Sequence, residues 1–217
     1  MHTRELPELV SDERPCMWVL HKPAGVDTDL APGSDLRVMI RDHDIDKRAH
    51  HIGRLDRDTS GLLLFSNDGD VTYSILNSPT LRKTYLAQVS CSPTPHHLTE
   101  LCEGVVLSDG IARAWSAEII NECNCCPEEI RPLFLNARVR PIEKHNYYIR
   151  IVTNDGRNRV VRRMLAAVGL PVLSLHREAV GPISLPENSV PGSFFPLSAS
   201  SVSDLLKAST HTDEIHS

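Results

Sequence analysis

His51-Ile52-Gly53-Arg54-Leu55-Asp56-Arg57-Asp58-Thr59-Ser60-Gly61 runs directly into Leu62-Leu63-Leu64-Phe65. The first part is polar with glycines at both ends and reads as a loop. The second is a continuous apolar run of strand length, the pattern of a strand covered on both faces. Asp56, flanked by Arg54 and Arg57, is thereby set at the start of a buried strand. A nearby guanidinium favours the ionised carboxylate, so Asp56 has the form of a reactive acid presented to a cleft. A loop carboxylate simply paired with an arginine is the plain alternative.

Outward from this stretch, Met17-Trp18-Val19-Leu20 reads as a strand, and His21-Lys22-Pro23-Ala24-Gly25 as the turn that ends it. Asp27 to Arg48 is polar, with a short helix predicted over Asp35 to Arg41. Asn67-Asp68-Gly69 breaks the apolar run, and Asp70 to Asn77 fits a short helix with acid at its start. Lys83 to Val89 alternates as a strand, and Thr94-Pro95 opens a helix through Cys102. Val105 to Leu107, Ala114 to Ile120, Asn136 to Pro141 and Tyr147 to Val152 are further strand candidates. Asn121 to Pro132, rich in Cys, Glu and Pro, reads as a surface insertion.

Asn158 to Val168 is the best-defined helix, with Asn158 as its predicted N-cap and Gly169 at its end. Val160, Val161, Met164, Leu165 and Val168 fall on one face and Arg159, Arg162 and Arg163 on the other. Val172 to Leu175 is a short strand, Pro182 to Pro196 loop-like, and Ser198 to Ala208 a last helix. The count predicts an α+β fold with an extensive, mainly antiparallel mixed sheet flanked by helices. One catalytic domain of two lobes sharing a sheet is expected over 16–200, with flexible termini at 1–15 and 209–217.

The 217 residues suffice for one sizeable core. No window approaches the roughly 18 apolar residues of a membrane span, so no membrane role is expected. Met1 to Pro15 carries Glu5, Glu8, Asp12 and Glu13 and resembles neither a secretory signal nor a transit peptide. Six irregularly spaced cysteines then read as reduced thiols, which implies a cytoplasmic or other reducing compartment. A net charge of -5 argues against nonspecific coating of nucleic acid. The charge is segregated, however. Arg138 to Arg163 holds eight basic residues against Glu143 and Asp155, as a site-directed nucleic-acid partner requires.

Three segments point to one chemistry: Gly53 to Gly61, Lys83-Thr84-Tyr85, and Gly156-Arg157-Asn158-Arg159-Val160-Val161-Arg162-Arg163-Met164. Together they resemble the pseudouridine synthases of the RsuA-like branch, from about Trp18 to Ile183, including His21 to Gly25 and Leu175-His176-Arg177-Glu178. The resemblance implies the pseudouridine synthase catalytic fold. It makes Asp56 the essential aspartate, Arg162 the helix arginine that pairs with it, and Tyr85 the platform on which the target base stacks. Arg54 would enter the RNA where the base leaves it, and Arg57, Lys83, Arg157, Arg159 and Arg163 would contact RNA. Asp155 and Val160 stand where that family usually has Glu and Gln, which bears on substrate detail.

The resemblance further implies isomerisation of a specific uridine, with no cofactor and no metal. Ribosomal RNA, of the large subunit first, is the expected substrate and tRNA the second, with the enzyme a monomer. About 16 residues precede the first strand, so an N-terminal S4 module is not expected. A noncatalytic RNA-binding or ribosome-assembly factor of the same fold is the rival reading. Cys123-Asn124-Cys125-Cys126 has a C-x-x-C spacing without a second pair, which argues against zinc.

Overall fold

The computed structural model describes residues 16–120 and 147–210. Its strands are β1 (Met17–Lys22), β2 (His50–Ile52), β3 (Thr59–Ser66), β4 (Lys83–Val89), β5 (Val105–Leu107), β6 (Gly110–Ala112), β7 (Ser116–Ile120), β8 (Tyr147–Thr153), β9 (Val172–Val180), β10 (Ile183–Ser184) and β11 (Phe194–Pro196). Its helices are α1 (Asp35–Asp42), α2 (Gly69–Leu76), α3 (Pro95–Glu103), α4 (Val160–Ala167) and α5 (Ala199–Thr210). Nine strands form one mixed sheet in the order β11-β1-β3-β9-β4-β8-β7, with β2 on β3 and β10 on β9. β5 and β6 make a separate hairpin.

Among the described pairings, only β3 with β9 is parallel, and it spans just Thr59–Gly61 against Leu175–Arg177. This short seam joins the β1 half of the sheet to the β4 half. Gly61 makes it possible: its φ is +110°, and a Cβ there would collide with the Arg177 backbone. The start of β3, and with it the loop before Thr59, lies at the junction of the halves.

β3 is buried along its whole length; its Leu62–Phe65 run is as predicted, and Thr59–Gly61, read as loop, are drawn into the strand by pairing with β9. Leu62 and Leu64 join the core shared with α2 and α5, and Leu63 and Phe65 the core shared with α1. A third core packs α3 and α4 on β4, β8 and β9, through Leu101, Val160, Val161, Met164 and Leu165.

Several local readings need correction. β2, β6, β10 and β11 are two or three residues long, too short for periodicity, and, unlike the Val105-Val106-Leu107 of β5, none is a run of aliphatic residues. β9 runs to Val180 because β4 pairs with it from Lys83 to Val89. α4 begins at Val160, and its N-cap is Arg159, left-handed at φ 49°, in place of Asn158. α5 reaches Thr210, two residues beyond the expected Ala208, with Leu205 and Ser209 buried. The expected strand at Asn136 to Pro141 and the insertion at Asn121 to Pro132 lie outside the described residues.

Candidate active site

The Asp56 loop is held by its backbone. Thr28 Oγ1 donates to the Leu55 carbonyl at 2.6 Å and accepts from Leu55 N–H at 3.2 Å. Gly25 N–H donates to the Arg57 carbonyl at 2.6 Å, and Arg57 Nε returns a bond to the Gly25 carbonyl at 3.0 Å. Thr59 N–H closes the turn on the Asp56 carbonyl at 3.0 Å. With Leu55 buried as an anchor, the loop is fixed on both sides of Asp56, and its carboxylate faces an open cleft of about 1410 Å³.

The start of α4 supplies the counter-charges. Arg159 forks onto Asp58 with two bonds of 2.9 Å and places Nη1 3.3 Å from Asp56 Oδ2. Arg162 donates to the Asp58 carbonyl at 2.9 Å and lies 3.3 Å from Asp58 Oδ2. Its side chain is 10% exposed, so it is no solvated helix arginine. The bond from Arg159 holds the Asp58 carboxyl below its ordinary range, with the Arg162 charge adding to the effect. The guanidinium in contact with Asp56 is therefore that of Arg159, and Arg162 acts one step behind, through Asp58. Spacing along the chain does not distinguish the two, because both stand on the first turn of α4 and the adjacent carboxylates differ only in direction. The left-handed Arg159 gives the turn that aims its fork at both acids.

Tyr85 and Lys83, two residues apart on β4, line the same cleft. Apolar side chains continue its wall at Ile52, Leu64, Leu76, Leu81, Val160, Val161 and Leu175. A planar base thus finds an aromatic ring and apolar surface beside a carboxylate. Burial, and then the Arg177 charge, lower the Lys83 amine, which donates to the carbonyls of Leu81 and Asn154 at 3.3 and 3.4 Å.

Of the residues expected on RNA, Arg54 is exposed and forms no ion pair among the described residues. Arg57 is bound to Gly25 and lies 3.7 Å from Asp27. Arg157 and Arg163 are otherwise engaged. Arg163 forks onto Asp109 at 2.8 and 2.9 Å, and Arg157 bonds Asp155 and Asp109. Asp109 occupies the turn between β5 and β6, which sequence order gave no reason to place there.

Two further cations stand at the site. Lys22 is fully buried; burial pushes its amine down to about 8, against the pull of Asp27, Asp58 and Asp56. Arg177 is buried on the cleft wall and donates to the Leu62 carbonyl at 2.8 Å. The signal for each was a lone cation ending or interrupting an apolar strand. Among the described residues no group of three or more His, Cys, Asp or Glu side chains is placed to hold a metal. Cys123 to Cys126 lie outside them.

A mixed sheet with a carboxylate at its seam, an aromatic wall and an arginine-bearing helix defines the class. Residues 17–167 match the family described as RNA pseudouridylate synthase, and the chain belongs to it: it is an isomerase that converts uridine to pseudouridine. More particularly, it is 34% identical over 169 residues to a protein named ribosomal large subunit pseudouridine synthase E of Xanthomonas campestris pv. campestris, covering 77% of this chain and 88% of that one. It is 34% identical to ribosomal large subunit pseudouridine synthase B of Bacillus subtilis over 78% of this chain and 63% of the relative. A crystal structure of a pseudouridylate synthase superposes with a TM-score of 0.67 at 25% identity, over 88% of this chain and 74% of that one.

Proposed function

We propose that this enzyme isomerises one uridine of ribosomal RNA, of the large subunit first, as a cytoplasmic monomer of the RsuA-like branch. The observation that carries the site assignment is the Asp56 carboxylate, fixed in a cleft walled by Tyr85 with Arg159 at 3.3 Å. The relatives named as large-subunit synthases support the RNA. The irregular spacing of the six cysteines supports a reducing compartment.

In this reading the uridine leaves its stack and lies on Tyr85, while Arg54 faces the RNA it left. Asp56 attacks the nucleoside or takes a proton from its sugar as the N1–C1′ bond breaks. The base turns and C5 bonds to C1′ as the Asp56–C1′ bond breaks or, on the other route, as the sugar proton is returned by Asp56; the C5 proton then departs and N1 takes one up. Arg159 and Arg162 hold the two aspartates in line.

Release of tritium from C5-labelled uridine in a large-subunit ribosomal RNA transcript tests this. Asp56→Asn abolishes release while RNA affinity stays within about twofold, because binding and chemistry use different groups. Undiminished release by Asp56→Asn overturns the assignment. Pseudouridine mapping in total RNA with and without the enzyme identifies the target, and a lost site confined to tRNA would replace the ribosomal reading.

A further inference from the structure

Six large apolar side chains stand exposed among the described residues, and of these only Leu76 also lines the cleft. Leu76 is 54% exposed, and Tyr73, one turn before it on α2, is 70% exposed. Three positions apart, the two share a helix face. The neighbouring face, with Thr72 and Ile75, is buried.

The position of α2 is set by β2, the strand that leads into Gly53 and Arg54. His50 Nε2 bonds Thr72 Oγ1 at 2.9 Å, and Ile52 and Ile75 share a core. At the helix end, Leu76 Cδ2 lies 3.8 Å from where a Cβ on Gly53 would stand. Leu76 therefore ends the cleft wall on the side of Arg54, the exposed guanidinium that enters no ion pair among the described residues, and Tyr73 extends the same exposed helix face beyond the cleft edge.

These groups match an unpaired ribonucleotide part by part. A tyrosine ring beside an aliphatic side chain offers a platform to the face of a base, and a guanidinium offers charge to its phosphate. The patch touches the cleft, so its occupant belongs to the strand that delivers the uridine. We propose that Tyr73 and Leu76 form a stacking subsite for an unpaired nucleotide adjacent to the target uridine, with Arg54 on the connecting phosphate. The subsite would hold the neighbouring base once the stack has opened. This inference rests on the RNA-modifying reading above.

Fluorescence anisotropy with fluorescein-labelled decauridylate reads the subsite without the natural substrate. Tyr73→Ala is expected to weaken binding about tenfold, the usual size of a lost base–aromatic stack, and Tyr73→Phe, which keeps the ring, to stay within about twofold. Tritium release from the ribosomal transcript should show a matching loss of kcat/KM for Tyr73→Ala. If the parent enzyme forms pseudouridine and Tyr73→Ala binds and turns over like it, this inference alone fails. If the parent forms none in any RNA, the underlying reading fails and takes this one with it. A dimer that Tyr73→Ala converts to monomer also overturns it, since the patch would then be covered by a second copy.

Discussion

The residues around the start of α4 form two guanidinium–carboxylate clusters of the same chemistry and different consequence. Arg159 and Arg162 hold Asp56 and Asp58, which belong to the loop at the sheet seam. Arg157 and Arg163 hold Asp109, which belongs to the turn of the outlying β5–β6 hairpin. The first cluster aims a carboxylate into the cleft; the second fastens a hairpin to the helix. What an arginine does here is decided by which segment carries the acid it meets, and the surrounding structure sharpens the division. Beneath the first cluster, Ser60 on β3 bonds His176 on β9 at 2.9 Å, and His176 stacks edge-on against His21. Exposure does not separate the acids, since Asp58 is 53% exposed and Asp109 43%; the segment that carries each acid does.

The division breaks most directly through the arginines. Arg162→Ala is expected to lower kcat/KM by about 100-fold or more, because Asp58 and its loop lose their alignment. Arg163→Ala should stay within about threefold. Equal losses in the two variants, measured by tritium release, would erase the distinction between the clusters.

Acid should act on the first cluster before the second. Burial lowers the His176 pKa from 6.5 to about 3, and burial also lowers that of His21. Below pH 6.5 the unfolded chain binds a proton that folded His176 refuses, so the stability is present above 6.5 and declines as pH falls toward 3. The slope from His176 is roughly 1.4 kcal/mol per pH unit. Urea unfolding between pH 6.5 and 4.5 reads this above the carboxylate range. A His176→Asn variant that keeps the full slope would remove the histidine from the account.

The smallest effect is expected at the hairpin. Its carboxyl is held low chiefly by the bond from Arg163, but it is exposed, and such pairs contribute little. Asp109→Asn should speed hydrogen exchange of the β5 and β6 amides and change turnover by less than about twofold. A large loss of activity in this variant would make the hairpin part of the catalytic machinery.

How much of this was legible depends on the kind of signal. The centre of β3 was readable because Leu62 to Phe65 is apolar at every position, as a strand covered on both faces requires, and β4 because Lys83 to Val89 alternates well enough to read as a strand. Asp56, Tyr85 and the arginines of α4 were legible as motifs, since each needs a particular residue type at a particular place. The pairing of Asp56 with Arg159, the withdrawal of Arg163 and Arg157 to Asp109, and the buried cations Lys22 and Arg177 were not legible. The ion pairs depend on contacts between segments far apart in sequence, where several residues of suitable charge compete for one partner, and the two cations showed only as single charges at or in apolar strands.

Periodicity and motif, being local properties of the chain, were enough to read the longer strands, the helix faces, the family and Asp56 as the candidate carboxylate. Which guanidinium meets which carboxylate, and that Leu76 lines the cleft beside Gly53 with Tyr73 one turn before it on the same helix face, were settled by tertiary contacts. The parallel seam at Gly61, where β3 and β9 approach closely, sets the position of the Asp56 loop, and the packing of α2 on β2 sets that of Leu76.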